Sequence, residues 1–89
     1  MSSGRDWALR VRMRVWKDIA VFPRKDRERL SQIIEDLARN PYVGDIEKMR
    51  GEENTWRRRV GAFRIFYELF PQEKVIFVFH VERRTSKTY

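Results

Sequence analysis

Two runs of residues, W-R-R-R-V and F-R-I-F-Y-E-L-F, are separated only by Gly61-Ala62. A two-residue connection that begins with glycine suits a type II′ hairpin turn, whose first central residue takes a positive φ. Such a turn fixes register over strands Trp56–Val60 and Phe63–Phe70. Val60 opposes Phe63, Arg59 opposes Arg64, Arg58 opposes Ile65, Arg57 opposes Phe66, and Trp56 opposes Tyr67. Because side chains alternate along a strand, Trp56, Val60, Phe63, Ile65, Tyr67 and Leu69 share one face, the natural one for covering helices. Arg57, Arg59 and Arg64 fall on the other face with Phe66 and Glu68. Arg58 has the parity of the apolar face; it is expected to snorkel past the sheet edge or to pair with an acid, and carries no assigned function.

Like charges opposed across a ladder cost from a few tenths to about 1 kcal/mol, so a compensating anion is expected near this trio. A phosphate would reverse the sign, since arginine presents forked donors matched to phosphate oxygens. Phe66 has two readings, a platform on which a base stacks or a core or edge aromatic. The whole chain supports an anionic partner: 20 basic against 13 acidic residues give a net charge of +7. That balance points to nucleic acid, an acidic protein or an anionic membrane surface. Cysteine is absent, which removes disulfides and thiolate metal sites. No apolar run approaches the roughly 20 residues of a membrane span, and no signal-peptide core follows the N-terminus, so a cytoplasmic protein is expected. The length of 89 residues suits one domain spanning 1–89.

Upstream, Leu9, Val11, Met13 and Val15 alternate with Arg10, Arg12 and Arg14, the period of a half-buried strand whose basic face suits a protected sheet edge. Trp16, Ile19, Ala20 and Phe22 fit a short helix stopped near Pro23. A longer helix runs from about Lys25 to Arg39, with Leu30, Ile33, Ile34, Leu37 and Ala38 forming one buried stripe, and ends at Asn40-Pro41. Residues 42–54 read as a polar loop containing K-M-R-G. After a turn at Pro71-Gln72-Glu73, Lys74–Val81 is the most apolar segment and reads as a central strand. The result is an α+β fold: an N-terminal strand, two helices, then three antiparallel strands forming one small sheet with the helices on one face.

The remaining polar residues divide between chemistry and structure. His80 has no second His or Cys beside it and reads as a satisfied structural histidine in an apolar strand, not a metal ligand. Glu52-Glu53 sit in the predicted loop as solvated charges, and no carboxylate pair for acid–base work is evident. Tyr89 closes the chain shortly after Arg83, Arg84 and Lys87, and nearby cations lower a phenol's pKa towards useful proton transfer.

K-M-R-G, W-R-R-R-V-G-A-F-R-I-F-Y-E-L and V-x-F-x-V-E-R-R-x-x-x-T-Y, in that order and spacing, resemble the RelE/ParE superfamily of bacterial type II toxins, as do W-K-D-I-A-x-F-P and L-A-R-N-P. In its RelE branch the resemblance implies a ribosome-dependent, metal-independent endoribonuclease without cofactor, cutting messenger RNA in the decoding A site. There the RNA's 2′-hydroxyl attacks the adjacent phosphate. Arg57 and Arg59 stand where the best-known members have two lysines, Arg64 matches the arginine of R-I-x-Y, Arg84 or its neighbour Arg83 matches the arginine after the last strand, and Tyr89 matches the C-terminal tyrosine. Arg57, Arg59 and Arg64 are expected to hold the scissile phosphate, Arg84 to offset charge on the leaving oxygen, and Tyr89 to orient the nucleotide or assist proton transfer. Lys48, Arg50, Phe66 and Arg83 complete the substrate-binding set. Arginine is a poor proton carrier near neutrality, so the replacement of both lysines leaves the general base unassigned, with Tyr89 or Lys48 as the candidates for handling protons. Implied partners are a cognate antitoxin, the ribosome and messenger RNA, with no membrane. The alternatives are a ParE-like toxin that inhibits DNA gyrase by protein contacts and a non-catalytic RNA-binding module.

Overall fold

A computed structural model describes residues 7–84. The elements, in chain order, are β1 (Ala8–Val11), α1 (Met13–Ile19), α2 (Arg24–Leu37), β2 (Ile46–Lys48), β3 (Thr55–Val60), β4 (Phe63–Phe70) and β5 (Val75–Arg83). The strands form one sheet in the order β1-β5-β4-β3-β2. β1 pairs with β5 in parallel and the other pairs are antiparallel, so the sheet is mixed.

The hairpin has the register set by its turn: Val60 faces Phe63, Arg59 faces Arg64, and Trp56 faces Tyr67. Gly61 adopts φ +59 while Ala62 is not in the positive-φ region, as a type II′ turn requires. Along β4 every second residue is buried, namely Phe63, Ile65, Tyr67 and Leu69. They join Val60, Ile76, Val78 and Val81 under Val15 and Ile19 of α1 and Leu30, Ile34 and Leu37 of α2. Both helices therefore cover one sheet face. Each fully buried aliphatic or aromatic side chain contributes about 1.5–3 kcal/mol to that assembly.

The helix ends follow local chemistry. Pro23 sits at the N-cap of α2, where its carbonyl accepts from the Arg27 N–H at 2.9 Å and its missing N–H costs nothing. Asp26 lies in the first turn, where a negative charge suits the helix dipole. Beyond α2, the buried Tyr67 hydroxyl donates to the Pro41 carbonyl at 2.7 Å and ties the helix exit to the centre of the sheet. Burial pushes the Tyr67 phenol up to about 12.

Three local expectations are corrected. β1 stops at Val11, and Met13 and Val15 begin α1. Val15 and Ile19 are one helical turn apart on the buried side, while Arg12 and Arg14 are solvated in either conformation, so alternation alone misjudged the boundary. Within the expected loop of residues 42–54, Ile46–Lys48 pairs with Trp56–Arg58 as a short edge strand. His80 does lie in the apolar strand β5, but it is solvent-exposed on the uncovered face, its Nε2 3.4 Å from Glu82 Oε1, and is not an enclosed structural histidine.

The last difference has a specific cause. From Phe70↔Val75 to Tyr67↔Val78 the β4–β5 ladder is regular, but the next pair is Phe66↔His80, so Phe79 is an extra residue. This β-bulge reverses the in–out parity of the end of β5. Val81 consequently packs in the core opposite Ile65, and Glu82 lies opposite Arg64.

Candidate functional site

The uncovered face of the sheet carries the hairpin arginines. Arg57 and Arg59 come from β3 and Arg64 from β4, and together with Asp45 and Glu47 they line a cavity of about 100 Å³. Two-residue spacing on β3 places Arg57 and Arg59 on one side, and the tight turn brings Arg64 opposite Arg59.

Each of the three guanidinium groups meets a carboxylate. Arg57 donates from both Nε and Nη2 to Glu47 Oε1, at 3.2 and 2.7 Å. Arg59 Nε donates to Asp45 Oδ2 at 3.0 Å, and Arg64 Nη1 to Glu82 Oε2 at 3.4 Å. The Arg57 hydrogen bonds and then its charge hold the Glu47 carboxyl below the ordinary carboxylate range, with smaller contributions from Arg64 and Arg59. All three arginines thus lie close enough for their charges to reach Glu47, although each is hydrogen-bonded to a different carboxylate.

Asp45, Glu47 and Glu82 were missed in the sequence. Asp45 and Glu47 alternate with Ile46 and Lys48 in D-I-E-K, which was the available sign of a strand that would place both acids on one side. Glu82 reaches Arg64 only because of the bulge.

The other expected site residues are distributed around this cluster. Lys48 and Arg50 line a larger neighbouring cavity of about 910 Å³ that shares Glu47 and Arg57 with the first. Phe66, the cross-strand partner of Arg57, lies on the open face, 5.3 Å centroid to centroid from His80 and 6.4 Å from Phe79. It contributes with Phe77, Phe79, Met49 and Arg12 to a groove of about 630 Å³, so it is neither a core residue nor an isolated edge aromatic. The Arg83 guanidinium sits over the Phe63 ring at 5.8 Å, on the helix side and away from the small cavity. Arg84 follows β5, and its backbone N–H donates to the Ala62 carbonyl in the hairpin turn. Tyr89 lies outside the described residues. Arg58 packs its guanidinium under Gly44, where an added Cβ would lie 2.6 Å from Nε.

No helix among the described residues is long and apolar enough to cross a membrane. Residues 9–87 match the family described as ParE toxin of type II toxin-antitoxin system, parDE. A protein of Methanocaldococcus jannaschii provisionally named toxin RelE1 is 28% identical over 79 residues, covering 85% of this chain and 88% of the relative. Among solved structures, the RelE toxin fold of the Pyrococcus horikoshii RelE–RelB complex superposes with a TM-score of 0.79 at 21% identity, over 92% of this chain and 99% of that one. The isolated Escherichia coli RelE toxin gives 0.75 at 19% identity, over 91% and 87%. Matched along most of its length by that toxin family, and built on the fold of archaeal and bacterial RelE toxins, the chain belongs to the RelE/ParE superfamily of type II toxin–antitoxin toxins.

Proposed function

We propose that this chain is a RelE-like messenger RNA interferase that cuts RNA in the ribosomal A site. The observation that carries the reading is the convergence of Arg57, Arg59 and Arg64 on one small cavity of the open sheet face. These are the positions that match basic residues of the RelE branch. A gyrase inhibitor acting through protein contacts has no need of three guanidinium groups lining one small cavity.

In the reaction the 2′-oxygen of one nucleotide attacks the adjacent phosphorus, and the bond to the 5′-oxygen of the next nucleotide breaks. The products are a cyclic 2′,3′-phosphate and a 5′-hydroxyl. One proton must leave the 2′-hydroxyl and one must reach the departing 5′-oxygen. Arg57, Arg59 and Arg64 hold the phosphate and stabilise the charge that grows on its non-bridging oxygens, the kind of preorganised stabilisation that is often the largest contribution to catalysis. Arg84 offsets charge on the leaving oxygen. Lys48 and Tyr89 are the residues assigned to the proton transfers, since guanidinium groups do not exchange protons readily near neutrality. Phe66 supplies a ring against which a neighbouring base stacks, and Arg50 and Arg83 add to the field that attracts the strand.

A cognate antitoxin partner is supported by the RelE–RelB complexes among the structural neighbours, and a cytoplasmic site of action goes with messenger RNA cleavage on the ribosome. The test is a translating extract in which cleavage is mapped to A-site codons. Wild-type protein cuts, and Arg64→Ala and Arg84→Ala remain folded but do not. The ParE description of the matched family favours gyrase inhibition as the second reading. Intact transcripts together with inhibited gyrase would establish it in place of the first.

A further inference from the structure

We infer that Asp45, Glu47 and Glu82 act as built-in counter-anions that set how strongly an RNA phosphate must be presented before the arginine cluster takes it. This rests on the reading of that cluster as a phosphate grip. The chain as a whole carries a net charge of +7, yet the three arginines and their three acids sum to no net charge. The positive field expected of a phosphate site is therefore cancelled at the site itself.

The carboxylates occupy the donors a phosphate would use. Arg57 spends Nε and Nη2 on Glu47, Arg59 spends Nε on Asp45, and Arg64 points Nη1 at Glu82. An incoming phosphodiester must exchange with these oxygens and then lie beside the displaced negative charges. The pairs are exchangeable because the carboxylate of each keeps contact with solvent, 66% exposed for Glu47, 61% for Asp45 and 39% for Glu82, and solvated pairs are weak. The side chains of Arg59 and Asp45 are 60% and 61% exposed, so this pair yields most readily, whereas Arg64, at 22%, is the most enclosed of the three arginines. Glu82 turns its other oxygen, Oε1, to within 3.4 Å of His80 Nε2, so its two oxygens face different side chains.

A diffusing RNA meets this barrier unaided. A strand held in place by a larger assembly is presented at a far higher effective concentration, up to the millimolar range for short tethers, and exchange then proceeds. The acids thereby restrict the chain to presented RNA without any moving part.

The test measures binding of a fluorescein-labelled single-stranded RNA by anisotropy, without ribosomes, to wild type, D45N, E47Q, E82Q and the triple variant. Each carboxamide is expected to tighten binding about threefold to fivefold, the effect of one unit charge a few ångströms from a phosphate in a water-like dielectric. The salt dependence should steepen as more phosphate contacts form. The gain from E47Q should vanish in an R57A background, and that from E82Q in R64A, because the guarded cation is gone. Unchanged affinity, or weaker binding with an unchanged circular dichroism spectrum, overturns the inference; the latter would make the acids props that hold the guanidinium groups in place. Ribosomal cleavage is not measured here, so failure of the nuclease reading would appear separately, as tighter RNA binding by a protein that cuts nothing.

Discussion

The two faces of β4 are built from alternate residues of the same eight-residue strand. Facing the helices are Phe63, Ile65, Tyr67 and Leu69, all buried; facing outward are Arg64, Phe66 and Glu68, all half-buried. Neighbours in sequence are thus assigned to different work. The inner set gains its free energy from burial that any hydrophobic partner of similar shape supplies. The outer set gains nothing comparable, and its Arg64 lies beside the like charges of Arg57 and Arg59 on β3. Stability and recognition in this chain should therefore be separable one residue at a time.

Ile65→Ala tests the inner face most severely. Removing a fully buried side chain should cost about 2–5 kcal/mol in urea or thermal unfolding, while the folded fraction keeps its RNA affinity. Its neighbour Arg64→Ala should show the opposite pattern. Ribosomal cleavage should fall about 10²- to 10³-fold, as for loss of one preorganised donor, with stability changed by less than about 1 kcal/mol because the pair with Glu82 is partly solvated. If Arg64→Ala unfolded the protein as badly as Ile65→Ala, the division between faces would be wrong.

A smaller effect sharpens the comparison through pH. Tyr67 has its phenol raised to about 12 by burial, against about 10 in an unfolded chain. Its contribution is fully present below pH 10 and is lost as pH rises through 12, because the unfolded state ionises first. About 2 kcal/mol should disappear over that window. Tyr67→Phe should remove this alkaline loss and cost about 1 kcal/mol at neutral pH by orphaning the Pro41 carbonyl, both measurable by urea titration across pH. Least in size, Gly44→Ala should destabilise by about 1 kcal/mol, since φ is +101 and the new Cβ meets Arg58. An Arg58→Ala background should recover part of that loss, leaving only the backbone strain.

These contrasts also explain which parts of the molecule were legible in the sequence. The hairpin register was readable because two residues, the first of them glycine, admit few geometries, and with it came the convergence of Arg57, Arg59 and Arg64. The helix stripe on Leu30, Ile34 and Leu37 was readable from its period. The end of β5 was not. V-I-F-V-F-H-V is apolar at nearly every position, so nothing in it marks Phe79 as the extra residue or shows that Glu82 faces Arg64. β2 was faint too, because its three residues show an alternation only once the flanking Asp45 is counted, against a polar background. The counter-anions of the cluster come from these two illegible places, which is why the sequence predicted the need for an anion but not its source. The assignment of Tyr89 rests on family likeness and on the cations that precede it in sequence, and the residue lies outside the described part of the chain.

The least secured strand of the sheet carries two of the three acids or their immediate flank. β2 is a three-residue edge that bonds to β3 on one side only, and Asp45 and Glu47 travel with it. Fraying there needs no disturbance of the buried layer, so the Met49 amide, which donates to the Thr55 carbonyl just after β2, should exchange with solvent far sooner than the amides of β4. Each such opening would carry both carboxylates away together, making the bare charge of Arg57 and Arg59 a property of a transient subpopulation and not of the average fold.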